Sequence, residues 1–146
     1  MSFVSIYRSL NTLRTFASHY LIGLERKTAL VTGGAKRLGR AIGLGLAREG
    51  CNVAVHYGES AVDAEQTAHD ISQLGVRAWI VQGDLSDPAN AADVLERAIG
   101  VAGPLELLVN SASVFPESTF ADFAPDEVHA NINLHALSPA LLARAL

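Results

Sequence analysis

Glycines and cations stand together in the run Thr32, Gly33, Gly34, Ala35, Lys36, Arg37, Leu38, Gly39 and Arg40, a combination suited to holding phosphate. Glycine lets a backbone turn tightly and approach a pyrophosphate. A helix starting at such a turn presents unpaired N–H groups and about half a positive charge. No Gly-Lys-Ser/Thr sequence closes the run, so it is not the loop that wraps nucleoside triphosphates. A second polar group follows at His56, Tyr57, Gly58, Glu59 and Ser60. Sites that hold a ribose 2′-hydroxyl place an acidic residue there, whereas Tyr57 takes that position here. With Lys36 and Arg37 nearby, a 2′-phosphate finds charged donors worth about 1.5–3 kcal/mol each, so NADPH is expected over NADH. Glu59 opposes that preference if it points inward and is neutral to it in water. His19, His56, His69, His129 and His135 show no paired ligand spacing, and Cys51 has no second thiol, so no metal site is expected.

The elements that must position these groups are legible from periodicity. Short apolar runs at 28–32, 52–56, 77–82 and 105–110 read as buried strands. Helical stretches at 39–49, 60–74 and 88–99 separate them, closing near Gly50, Gly75 and Gly100. Asp87 reads as an N-cap ahead of Pro88 at the first helical position. A last helix begins around Pro125 and runs to Leu146. This alternation predicts an α/β fold: a Rossmann-type doubly wound parallel sheet, truncated after about four strands. The glycine run then lies between the first strand and its helix. Asn110, Ser111, Ala112 and Ser113 lie at the carboxyl end of the fourth strand, where open α/β sheets bind ligands.

This domain is expected over residues 26–146, with residues 1–25 as an extension. Phe3, Ile6, Leu10, Leu13, Ala17, Tyr20 and Leu24 recur at steps of three and four, which predicts an amphipathic helix. Arg8 and Arg14 without an acidic residue before Glu25 match a mitochondrial presequence. A start codon set too early and a packed surface helix are the other readings of the extension. Arg14 interrupts the segment, so it is too short to cross a membrane. With 146 residues, 49% hydrophobic and 18% charged, the chain has material for one core. A net charge of -4 without a basic stripe argues against nucleic acid. A soluble cytoplasmic protein is expected, or a mitochondrial one if residues 1–25 are a presequence.

These residues resemble the short-chain dehydrogenases/reductases, whose loop reads Thr-Gly-x-x-x-Gly-x-Gly. Gly33 and Gly39 match the first and last glycines, and Arg37 replaces the middle one. Lys36, Arg37, Leu38 and Gly39 together are similar to the pteridine reductase branch, where the arginine reaches the cofactor phosphates and the substrate pocket. The His-Tyr pair and Ser60 also match that branch; Gly58 and Glu59 depart from it. Asn110 and Ala112 match the family's Asn-Asn-Ala-Gly signature, while Ser113 and Phe115 fall on the branch's serine and phenylalanine. The resemblance thus implies NADPH held by Gly33, Lys36, Arg37, Leu38, Gly39, His56, Tyr57, Ser60, Asp84, Leu85, Asn110, Ala112 and Ser113. Asp84 and Leu85 would frame the adenine, although Asp84 also reads as a plain turn residue. A pterin would meet Arg37, Ser113 and the ring of Phe115, which otherwise reads as a core or lid aromatic. Asn133, between Ile132 and Leu134, matches the asparagine of the catalytic tetrad, which holds a water in the proton relay. Asn131 is expected at the surface.

The resemblance also defines what is missing. Reduction in this family takes a hydride from the nicotinamide and a proton from a tyrosine in Tyr-x-x-x-Lys, with a serine or aspartate assisting. Tyr7, Tyr20 and Tyr57 are followed four residues on by Asn11, Leu24 and Ala61, and the lysines are Lys27 and Lys36. This stretch is therefore expected to bind cofactor without turning it over, and to leave its fourth strand as an apolar edge. The implied function is an NADPH-dependent pteridine reductase acting on a small molecule, with homo-oligomers as the family's habit. A 3-ketoacyl or other carbonyl reductase of the same family, and a non-catalytic NADP-binding protein, are the alternatives.

Overall fold

A computed structural model describes residues 23–115, 118–119 and 121–146, so the helix expected in the extension lies almost wholly outside the described residues. Four parallel strands form one sheet: β1 (Thr28–Val31), β2 (Asn52–Tyr57), β3 (Ala78–Gln82) and β4 (Leu107–Val109), in the spatial order β3-β2-β1-β4. Between them run α1 (Arg37–Arg48), α2 (Ala61–Ser72) and α3 (Asn90–Ala102), followed by α4 (Pro125–Ile132) and α5 (Ser138–Ala145). Strand side chains alternate between faces, so the two sides of β1 feed two cores. Leu30 packs with Ala54, Val94, Leu95, Leu134 and Leu142 beneath α3 and α5. Val31 packs with Val53, Val55, Ala64 and Ile71 beneath α1 and α2. Helices therefore cover both faces, as the near-continuous apolar strands require. Among the described residues, no helix is long and apolar enough to cross a membrane.

Several boundaries differ from the sequence reading for identifiable reasons. The first strand ends at Val31 rather than residue 32, because Gly33 adopts φ 61° and turns the chain away from the sheet. The third helix does not stop at Gly100; it runs to Ala102 and ends where Gly103 takes φ 82°. Asp87 does not cap it directly. Its Oδ1 accepts the Ala89 N–H at 2.9 Å and its carbonyl accepts the Asn90 N–H at 3.1 Å, building a turn that delays the helix to Asn90.

The helix expected from Pro125 to the end is broken by one wide turn. Pro139 has no N–H to offer the carbonyl of His135, and its ring crowds the preceding turn. The ladder opens into a π turn over Asn133–Leu137, in which the Ser138 N–H reaches back five residues to the Asn133 carbonyl. The fourth strand is the shortest, at Leu107–Val109, and among the described residues it pairs with β1 alone. Its start is fixed by Glu106, whose carboxylate accepts the Thr28 N–H at 2.7 Å.

Candidate nucleotide site

The glycine run spans the gap between β1 and α1, and its shape is imposed from three sides. His56, on β2, binds it twice: Nδ1 accepts the Gly33 N–H at 3.2 Å and the carbonyl accepts the Gly34 N–H at 2.8 Å. The Thr67 hydroxyl of α2 donates to the Ala35 carbonyl at 2.9 Å. From the far side, Gly33 lies so close to β4 that a Cβ on it would sit 2.7 Å from the Ala112 Cα. Within the loop, a Cβ on Gly39 would sit 2.2 Å from the Gly33 carbonyl oxygen. Both glycines are therefore required by close backbone approach. The first turn of α1, with Lys36, Arg37 and Leu38 exposed, faces solvent at the carboxyl ends of the strands.

Arg37 stands where the resemblance expects a glycine, and its backbone keeps the glycine conformation, at φ 47°. A left-handed L-residue carries strain of about 1–2 kcal/mol. Its guanidinium has no partner among the described residues. Lys36 does have one: its Nζ lies 2.9 Å from Asp63 Oδ2 in the first turn of α2. Ser60, just before α2, makes no capping hydrogen bond with its side chain, and Tyr57 packs half-buried over the core beneath α1 and α2. Glu59 is exposed at the end of β2.

Two sequence-derived assignments, His56 and Leu85, need correction, and a third, Asp84, keeps its place. His56 is 2% exposed and is not a surface contact. Its Nδ1 accepts from Gly33, so Nε2 carries the proton and donates to the Gly83 carbonyl at 3.0 Å. Burial lowers its pKa to about 4, and the nearby Arg97 adds to the effect. The ring is an internal strap that holds the loop. Leu85 is also buried, at 3% exposure, within the core beneath α3, so its side chain cannot frame a base. Asp84 forms a turn of its own: Oδ1 accepts the Ser86 hydroxyl at 2.6 Å and the Ser86 N–H at 2.9 Å, and these bonds lower its pKa. Its other oxygen is left for a ligand.

At the end of β4, Thr32 is a residue whose role the sequence reading missed. Its buried hydroxyl accepts the N–H groups of Ser111 and Ala112 at 3.0 and 3.1 Å and faces the Val109 carbonyl at 3.4 Å. One side chain thus ties the phosphate loop to the Asn110–Ser113 turn. Thr32→Val keeps the shape and leaves two amides without an acceptor, so stability should fall by about 2 kcal/mol. Thr32→Ser should keep most of it. Urea melts of both variants check this, and equal midpoints for Val and Ser would contradict the role.

In that turn Asn110 and Ser113 are exposed, and just after it Phe115 is 93% exposed, so its ring joins neither core of the described residues. Ser113 meets an unforeseen partner in His135, whose Nε2 lies 3.0 Å from the Ser113 Oγ while Nδ1 contacts the Asn131 carbonyl at 3.0 Å. Asn133 is half-buried in the π turn. Thr32, Asn110, Ala112 and His135 line a cavity of about 100 Å³ with Leu134 and Leu142. The loop, the end of β2, Asp84 and the end of β4 therefore share one rim, with Asn133 on the helix behind β4.

Comparisons with known proteins agree on one group. The family model described as short chain dehydrogenase matches residues 27–146. L-rhamnose 1-dehydrogenase (NAD(P)(+)) of a Sphingomonas species is 38% identical over 114 residues, which cover 77% of this chain and 45% of that protein. A short chain dehydrogenase from Burkholderia cenocepacia, solved in complex with NADP, aligns with a TM-score of 0.79 and 34% identity over 84% of this chain and 50% of its own. FolM alternative dihydrofolate reductase 1 from Brucella canis, complexed with NADP, aligns with a TM-score of 0.76 and 33% identity, covering 84% of this chain and 48% of that one. The chain spans about half the length of the relatives it matches.

Proposed function

The chain belongs to the short-chain dehydrogenase family, and from that premise we propose that it is the NADP(H)-holding part of an oxidoreductase whose substrate is a pterin. The observation that carries the cofactor is the cradle itself: Gly33 and Gly39 at backbone contact, an open helix start, and Arg37 exposed beside it. The residues fit a dinucleotide. The first turn of α1 would hold the pyrophosphate, Arg37 and Lys36 would meet the phosphates, and Asp84 would accept from an adenine amino group. When bound, the reduced cofactor supplies a hydride. This chain's part is to orient it, with Thr32 and His56 keeping the loop and the β4 end at fixed separation.

The pterin rests on three exposed residues, Arg37 at the start of α1 and Ser113 and Phe115 beyond β4, and on the likeness to the dihydrofolate reductase structure. A flat ring carrying amino and carbonyl groups suits an exposed aromatic, a hydroxyl and a guanidinium. A sugar substrate is the second reading, favoured by the identity to the L-rhamnose enzyme. Titration of the NADPH-saturated chain with 7,8-dihydropterin and with L-rhamnose separates them: the pterin should bind more tightly, and the reverse order would favour the sugar.

Arg37 offers a sharper test because strain and charge act in opposite directions. Arg37→Gly should raise stability by about 0.5 kcal/mol, the relief of left-handed strain less the greater freedom of unfolded glycine. The same change should weaken NADPH about tenfold by removing a charge-assisted contact. Urea melts and nicotinamide fluorescence measure the two, and a loss of stability with unchanged affinity would contradict the assignment.

A further inference from the structure

The charges around the end of β2 cancel. Lys36 and Arg37 supply two positive groups, and Glu59 and Asp63 supply two negative ones within the same rim of loop, strand end and helix start. Lys36 is not free to wait for a phosphate, because Asp63 holds it at 2.9 Å with both side chains about half exposed. An exposed pair of this kind is weak and easily exchanged. A 2′-phosphate arriving at the strand end would compete with the Asp63 carboxylate for the same ammonium, whereas a 2′-hydroxyl would not need to.

We propose that Asp63 is the specificity-determining residue of the site: it acts as a built-in counter-anion for Lys36 and lowers the preference for a 2′-phosphorylated cofactor. The inference rests on the NADP reading above. Asp63 does so from a position where it also stabilises the start of α2, since a carboxylate in the first helical turn meets the positive end of the helix. Arg37 keeps its charge whichever cofactor arrives, so the discrimination is graded rather than absolute. The closing of the Lys36–Asp63 pair when the 2′ position carries only a hydroxyl leaves an NADH-competent site with no stranded lysine.

The test is a double-mutant cycle on the full 146-residue chain, with NADPH and NADH titrated by nicotinamide fluorescence. Asp63→Asn should tighten NADPH about fivefold and leave NADH within about twofold, the size expected from removing one competing exposed charge. In a Lys36→Gln background the same substitution should gain less than about twofold, because the ammonium it frees is gone. Asp63→Glu, which retains a carboxylate, should keep the parent preference. A gain that is equal for both nucleotides, or equal with and without Lys36, would overturn the role of Asp63 while leaving NADP binding intact. A parent chain that binds neither nucleotide would overturn the NADP reading itself.

Discussion

Replacing Gly39 with alanine should abolish NADPH binding and lower stability by roughly 3 kcal/mol, the upper range for a single substitution. The added Cβ would sit 2.2 Å from the Gly33 carbonyl oxygen and 2.8 Å from its carbonyl carbon. Both partners are backbone, so no side chain can swing aside. Gly33 cannot retreat either, since it is bonded to His56 on one side and seated against Ala112 on the other. Helix α1 must therefore slide outward, taking its open N-terminal turn away from the pyrophosphate position. Gly45→Ala is the control: it lies in the same helix with open space around it, and alanine there should add up to about 1 kcal/mol. Urea midpoints of the two variants should move in opposite directions, and NADPH affinity should fall in Gly39→Ala while Gly45→Ala keeps the parent value. A Gly39→Ala chain with the parent midpoint and affinity would contradict the cradle geometry.

The second large effect is a loss of stability between pH 6.5 and 4, caused by His56. Its neutral ring is required, because Nδ1 must accept from Gly33 while Nε2–H donates to Gly83. Burial holds the folded pKa at about 4 against an ordinary 6.5. The unfolded chain thus binds the proton first, so this contribution is complete above pH 6.5, declines as the pH falls and is gone by about pH 4. A displacement of that size is worth about 3 kcal/mol. The carboxylates whose pKa values are lowered, Asp70, Asp84, Glu106 and Asp122, have ordinary values of 3.8 to 4.5 and act mainly below this window. Urea midpoints at pH 7.5 and 4.5 should differ sharply in the parent chain. In His56→Gln, whose amide can accept and donate without titrating, the difference should shrink; an equal pH dependence in both would assign it elsewhere.

Much of this arrangement was legible in the residues. The four apolar runs, the glycine loop between the first strand and its helix, and the placement of Asn110 at a strand end follow from period and spacing, and the structure keeps all three. What spacing does not carry is the direction of a side chain at the end of a strand. His56 and Tyr57 are neighbours, yet alternation sends the first inward to Gly33 and Gly83 and leaves the second at the surface of the core. Leu85 likewise reads as a ligand neighbour in one dimension and is a core residue in three.

The partners that the sequence could not disclose are all distant in the chain. Thr32 meets Ser111 and Ala112, Thr67 meets Ala35, Lys36 meets Asp63, and His135 meets Ser113. The first joins two loops that parallel strands bring to one edge, and the others join a loop to a helix packed beside it. Thr32 alone carried a sequence signal, its place at the head of the glycine loop. The π turn had one as well, in Pro139 within an otherwise helical run, because a proline there removes a ladder donor.

The central claim is that the β1–α1 loop and the ends of β2 and β4 form a single NADP(H) cradle. Amide chemical-shift mapping of the isotopically labelled chain during NADPH titration tests it directly. Saturable shifts should appear at Gly33, the first turn of α1, Ser60, Asp84 and the Asn110–Ser113 turn, with α3 residues facing away from the rim unmoved. Shifts confined to other surfaces, or none at millimolar NADPH, would contradict the account.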